Sequence, residues 1–434
     1  MVFRDGKINL TFLSKISAGC LVLLIFFFEA RERNDFDIFL LAAKDLKGGQ
    51  DIFHNLYFGC YHYYYDVLFA LVLSPFTVLP AYPIKVIWLI LNGYFIVKIW
   101  DYCFSYIAIE GWKANYRHLF KGICILFALA FLRDNIHLGQ LTILMVFLSL
   151  LAIKKIESGK KSAGALYLAL GIVIKLLPLL LLPYLALKRE WKSLLLCGSF
   201  VIALLLLPGL LIGQSYNALL LKARWDIINP TNKEHIVDAA ERSFHSLTTV
   251  LATLLVKDCP TVNALPFKRN IADISLQQLG YVITTVRLFL LALSLFFIRQ
   301  AVPPIEGKRR ALAQLYALSY FMLLIPLLFP HQQHYAFLFL WPAEIYLLYW
   351  GFLVFFDPLP LMEGKEPQRM PTSKGLAKTL VITCWGIVYF TTNSHFVLGV
   401  FNAYYDHYKT LTYGALLCIP LLMYCRPERL YGLK

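Results

Sequence analysis

Four groups of ionisable side chains stand where an otherwise apolar sequence would not ordinarily place them. Asp35 and Asp37 follow directly on an apolar run over 10–30. Arg133, Asp134, Asn135, His137 and Gln140 form a polar wedge between two further apolar runs. Lys175 is a lone cation in Gly171-Ile172-Val173-Ile174-Lys175-Leu176-Leu177-Pro178. His331 and His334 lie in Phe329-Pro330-His331-Gln332-Gln333-His334-Tyr335, at the edge of another apolar run. Ionisable groups at or inside membrane spans are costly to hold there, so each group is first a candidate for function. A carboxylate in reach of a hydroxyl can strip its proton as a general base. A cation facing a cavity suits a phosphate, and a histidine beside an apolar wall suits proton transfer or phosphate contact. Structural readings stand beside these. The two aspartates can cap the helix that follows. Arg133 and Asp134 can form a turn with a local ion pair, and Lys175 can snorkel to the interface. Two histidines three apart have no third ligand at metal spacing, so no metal is expected.

The elements that must position these residues are membrane spans. Hydrophobic residues make up 59% of the 434 and charged residues only 15%, against about 25% charged in soluble proteins. Apolar runs of about 18 residues or more recur from end to end. They predict one all-α polytopic unit over 1–434, with about 11–13 spans and no soluble domain. Spans are expected near 10–30, 66–82, 84–106, 118–132, 141–154, 162–187, 193–213, 279–300, 309–329, 334–356, 376–392 and 409–425. No small-residue cleavage site follows 10–30, which therefore reads as a retained span.

The net charge of +15 does not point to nucleic acid. Its lysines and arginines cluster in short loops between apolar runs, the positive-inside pattern. That pattern puts 188–192, 308–310, 357–374 and 426–434 inside, and 214–278, 330–333 and 393–408 outside; the loop 31–65 is expected on the outer face too. Simple alternation then fails earlier in the chain, unless 162–187 is a hairpin of two short helices broken near Lys175 and Pro178. The 214–278 insertion is expected to form short helices over a cavity. The nine cysteines form no CxxC pair, so neither a disulfide framework nor a zinc site is indicated. No Walker loop, GxGxxG or nucleophile elbow is present. An activated substrate would then be lipid-borne and reached within the membrane.

At these residues the sequence resembles glycosyltransferase family 87, polytopic GT-C-type enzymes related to polyprenol-phosphate-mannose-dependent α-mannosyltransferases. Asn34-Asp35-Phe36 with Ala42-Ala43, Gly48-Gly49 and Phe53 is similar to the family's opening motif. Asn135-Ile136-His137-Leu138-Gly139-Gln140 resembles its Asn-x-x-x-Gly-Gln turn. Lys175-Leu176-Leu177-Pro178, with Lys188-Arg189-Glu190-Trp191, resembles its Lys-x-x-Pro span and basic loop, and His334-Tyr335 its His-Tyr pair. Tyr65-Asp66-Val67 departs from a Tyr-Pro-Pro common in the family. Phe244-His245-Ser246-Leu247 keeps only the Ser-Leu of an Asn-Gln-Ser-Leu stretch.

The resemblance implies sugar transfer, with mannose the expected sugar, from a polyprenyl-phosphate donor to a lipid or glycan acceptor. The anomeric centre would invert, on the outer face of a bacterial inner membrane, without a metal or other cofactor. It places the general base on Asp35, with Asp37 competing, and matches His334 to the family's histidine. Lys175, His331, His334 and Arg242 are expected to serve the donor phosphate, Arg242 from its place in the long loop alone. Tyr65, Arg133, Asn135, His137 and Gln140 are expected to line the cavity. The rival from another class is a transporter or flippase of a lipid-linked sugar, with a structural membrane scaffold ranked last.

Overall fold

The structure, a computed structural model, describes residues 3–4, 7–8, 10–229, 235–237, 244–259, 264–300, 307–356 and 374–430. Helix α1 (Leu10–Glu29) presents Leu21, Leu24 and Phe28 outward. Immediately before α2 (Asp35–Lys47), the chain is still extended at its cap, Asn34. Asn34 accepts from the Phe36 backbone N–H, while the Asp37 carboxylate accepts from the Asn34 N–H at 2.9 Å. This reciprocal capping is worth about 1 kcal/mol. Lys44 and Lys47 occupy the last turn, where the helix dipole favours cations. Gly48-Gly49 then ends the helix, with Gly49 at φ +73°. The buried face of α2, including Phe36, Phe39, Leu40 and Ala43, packs into an aromatic nest. In it Tyr65 meets Phe39 edge-on at 4.6 Å.

The span expected over 66–82 is not one continuous helix. It is a short helix, α3 (Val67–Leu73), capped by Asp66 and followed by a single 3-10 segment (Ser74–Val78). Pro75 and Pro80 break the run, since proline removes a helix N–H and clashes with the preceding turn. The next helices are α4 (Ala81–Phe104), α5 (Ala114–Leu138) and α6 (Thr142–Glu157). The polar wedge over 132–140 was expected to be a turn between spans. Instead α5 continues through Arg133, Asp134 and His137, and only Gly139-Gln140 turns. There the axis bends by 119° into α6.

Helix α7 (Lys161–Ile174) packs on α6, with Gly164 set against Ala152 and Ile156 where a side chain has no room. It stops at Lys175, whose backbone is extended (φ −149°, ψ 123°). A 3-10 turn (Leu177–Leu180) and α8 (Leu181–Leu187) follow, so the expected break near Lys175 and Pro178 is present. Beyond α9 (Trp191–Leu206) and α10 (Gly209–Ile212), the long insertion contains α11 (Gln214–Ile228) and α12 (Leu247–Leu255). The chain completes with α13 (Leu276–Arg299), α14 (Gly307–Leu328), a 3-10 segment (His334–Leu340) and α15 (Trp341–Gly351). Last come α16 (Lys374–Asn393), α17 (Asn402–His407), α18 (Thr410–Tyr424) and the single turn α19 (Pro427–Leu430).

Among the described residues, five helical stretches are long and apolar enough to cross a membrane, or six if the bent pair α5–α6 is one span. Five shorter apolar helices accompany them. The two halves 309–328 and 334–356 are buried on nearly every face and form the centre of the bundle. Leu195, Leu288 and Phe289 instead project from α9 and α13 as exposed apolar surface, suited to lipid. Apart from the two-residue strands Phe3–Arg4 and Lys7–Ile8, regular structure among the described residues is helical. The protein is an all-α, multi-pass membrane protein.

Candidate active site

The bend after α5 is seated on the start of α2. A Cβ at Gly139 would lie 2.9 Å from the Phe36 Cβ and 3.2 Å from the Asn34 Oδ1, and its φ of +63° also favours glycine. Trp88 stacks on Phe36 at 5.3 Å and donates its indole N–H to the Gly139 carbonyl at 3.0 Å. Asn34 donates to the His137 carbonyl at 3.2 Å. These contacts set Gln140 against Asp35. The Gln140 Nε2 donates to the Asp35 Oδ2, and the Tyr65 hydroxyl donates to the Gln140 Oε1 at 2.9 Å. An acceptor on one side and a donor on the other leave the amide one orientation.

Lys175, held at the break after α7, is half-buried between two aromatic rings. Its Nζ lies 5.2 Å from the Tyr65 ring centre and 5.4 Å from that of Tyr335. Burial raises the Asp35 carboxyl above its ordinary value, opposed by the Gln140 hydrogen bond and the Lys175 charge. A carboxylate oriented by one hydrogen bond and made more basic by its surroundings is equipped to accept a proton.

Asp37 lies two residues on and faces about 200° away. Its Oδ2 takes both the Asn34 N–H and the Lys85 ammonium at 3.0 Å, and Lys85 also donates to the Glu32 carbonyl. That carboxylate therefore pins the start of α2 from the opposite side.

His334 belongs to a second polar cluster. Its Nε2 donates to the Thr392 carbonyl at 2.9 Å, its Nδ1 lies 2.7 Å from an Asp134 carboxylate oxygen, and its ring is 5.5 Å from that of His395. Tyr335, one residue on, turns toward Lys175 instead. Asn135 joins the two clusters, donating to the carbonyls of Tyr335 at 2.9 Å and Phe131 at 2.8 Å. Arg133 is exposed, 3.6 Å from Asp134, and His137 is exposed beside Glu29 at 2.8 Å. Neither joins the group around Asp35. His331 meets His235 of the long insertion at 2.9 Å and the Phe244 ring edge-on. The His245 N–H donates to the Gln332 carbonyl at 2.7 Å, and its ring lies 3.2 Å from Asp406. Burial pushes the His245 imidazole down to about 4, against the pull of Asp406. Ser246 caps α12 through the Thr249 N–H, a structural role for the Ser-Leu pair. Arg242 lies outside the described residues.

Two participants in this framework did not emerge from the sequence. Arg224 of α11 donates to the Asp66 carboxylate and, at 2.8 Å, to the Val173 carbonyl. This buried pair fastens the insertion to the last turn of α7, next to Lys175. Its only sequence signal was Asp66 itself, an acid just ahead of an apolar run. Lys85 is the other, hidden inside an apolar helix. Among the described residues, no group of three or more histidine, cysteine or acidic side chains is placed to hold a metal.

A bundle of apolar helices, bent at a polar turn that sets Gln140 against the half-buried carboxylate of Asp35, defines a multi-pass membrane protein. The family model of glycosyltransferase family 87 matches residues 63–330, more than half of the chain, and the chain belongs to that family. It is thus a membrane glycosyltransferase. The matched region contains Tyr65, Gln140, Lys175 and Arg224, begins after Asp35 and ends before His331. No curated protein and no solved structure matches the chain.

Proposed function

We propose that the protein transfers a sugar, mannose in the first instance, from a polyprenyl-phosphate carrier to a lipid or glycan acceptor, with Asp35 as general base. The observation that carries this reading is the Tyr65–Gln140–Asp35 relay beside Lys175. The acceptor hydroxyl gives its proton to Asp35 as its oxygen attacks the anomeric carbon. The bond from that carbon to the phosphate oxygen breaks, its electron pair leaves with the lipid phosphate, and the centre inverts. Lys175, whose charge acts on Asp35, receives the developing phosphate charge. His331, His334 and Arg242 are proposed as further phosphate contacts. Asp37 is the second candidate base, although its carboxylate is already engaged by Lys85 and the helix cap. The reaction as proposed needs no metal. The location proposed is a bacterial inner membrane, with the Asp35 side facing outward.

The test is transfer of radiolabelled sugar from polyprenyl-phosphate-mannose, and from the corresponding glucose lipid, to a membrane extract by the purified protein. Labelled product from the mannose lipid, with inverted linkage, supports the proposal. Product from the glucose lipid alone corrects the sugar. Movement of either lipid across proteoliposomes, without any product, replaces the reading with a flippase.

A further inference from the structure

A cavity of about 490 Å³ opens between the end of α1, helix α2 and residues 77–85. It lies on the far side of α2 from Asp35, and none of Asp35, Gln140, Tyr65 or Lys175 lines it. Its volume falls within the range of about 300–1,000 Å³ usual for small-ligand pockets. Four cations, Arg31, Arg33, Lys44 and Lys85, reach its wall against one carboxylate, Asp37. Lys85 and Asp37 satisfy each other. Arg31, Arg33 and Lys44 form no ion pair among the described residues, so three of the four cations at the cavity wall have no carboxylate in direct contact.

Two of the three lie over aromatic rings, Arg33 in close contact and Arg31 at longer range. The Arg33 guanidinium lies 3.4 Å from the Phe58 ring centre, and that of Arg31 lies 5.3 Å from Phe28. Stacking occupies the faces of a guanidinium and leaves its edge N–H donors free, the arrangement that binds phosphate oxygens. The apolar rim continues outward. Leu41, Leu79 and Tyr82 line the cavity and are exposed, in a multi-pass membrane protein whose exposed apolar surface is suited to lipid. An occupant that satisfies both halves carries an anionic phosphate and an apolar chain.

We propose that this cavity binds the phosphate headgroup of a membrane amphiphile, at a site separate from the Asp35 centre. The inference does not depend on the transfer reaction. The phosphate can come from a bulk phospholipid or from an isoprenoid carrier lipid, and the two sources are separable. Purified full-length protein in neutral detergent is titrated with phosphatidic acid and, in a second arm, with polyprenyl phosphate, and bound lipid is counted by native mass spectrometry.

Near a membrane surface each cation strengthens binding of an anion roughly fivefold, so Arg31→Gln/Arg33→Gln/Lys44→Gln is expected to weaken binding about 100-fold. Asp35→Asn should leave phosphatidic acid binding unchanged, and the charge-preserving Arg31→Lys/Arg33→Lys variant should keep most of it. Loss in both arms assigns the site to phosphate lipids in general, and loss with polyprenyl phosphate alone assigns it to the carrier. Binding by the triple variant within threefold of wild type in both arms overturns the proposal. Equal loss in the charge-preserving variant overturns it as well, because charge would not be what the cavity reads.

Discussion

Replacing Asp35 with asparagine separates the chemical role of this carboxylate from its structural one. Asparagine keeps an oxygen to accept from the Gln140 Nε2, so the Tyr65–Gln140 relay has its partner while the base is gone. General-base assistance is worth about 10²–10⁴ in rate, or roughly 2.7–5.5 kcal/mol of barrier. Transfer in Asp35→Asn should fall by that factor while donor binding survives. The stability effect has the opposite sign. Burial raises the Asp35 pKa above 3.8, so its contribution to stability is greatest below 3.8 and is lost as pH rises through the folded value. At neutral pH the ionised carboxylate therefore costs stability, and asparagine removes that cost. The unfolding midpoint in detergent should hold or rise at pH 7. Single-turnover transfer and thermal unfolding, run on the same preparation, read both quantities. Wild-type transfer should itself decline with acid below a pKa higher than that of an ordinary aspartate. A variant within tenfold of wild type would refute Asp35 as the base. A midpoint lowered by several degrees would instead show that its charge holds the fold together.

Gly139→Ala forces a side chain into left-handed backbone and against Phe36. A loss of about 1–3 kcal/mol is expected in denaturant titration, together with slower transfer as Gln140 shifts from Asp35. Arg224→Met leaves the Asp66 carboxylate buried without its cation and should cost about 3–5 kcal/mol. Adding Asp66→Leu should recover part of that loss in a double-mutant cycle, and no recovery would exclude a direct coupling. His245 titrates near 4 in the fold and near 6.5 when unfolded, so the unfolded chain binds the proton first as pH drops. Its contribution is complete above 6.5 and should be lost between 6.5 and 4, by up to about 3 kcal/mol. His245→Gln should flatten the stability profile across that window.

The membrane class, the helical build and several candidate groups were legible because each depends on local pattern. Apolar run length reports spans, and the Asp35–Asp37 pair reported a helix start, although the structure puts the cap itself on Asn34 with Asp37 as its reciprocal partner. The break near Lys175 and Pro178 was readable because the basic loops on either side of 162–187 could not otherwise both lie inside. The run over 66–82 misled because its hydropathy is continuous, while Pro75 and Pro80 divide it into pieces too short to span. Residues 132–140 misled in the opposite way. Polar side chains suggested a loop, yet backbone hydrogen bonding continues the helix to Leu138, and only the glycine turns the chain.

Two aspartates two residues apart could not be told apart from sequence alone. Both are acidic residues in the first turn of one helix, where either could cap or catalyse. Which way each faces is set by the partners that other segments bring. Gln140 arrives at Asp35 from a turn 105 residues away, and Lys85 arrives at Asp37 from a helix 48 residues away. His334 and Tyr335, adjacent in the chain, are likewise parted by Asp134 on one side and Lys175 on the other. The sequence by itself determined a helical, multi-pass membrane protein and the residue types available for chemistry, because hydropathy and capping act over one or two turns. Only the tertiary structure decided which charges meet, because a buried charge takes its partner from whatever the packing of distant helices brings within hydrogen-bonding reach.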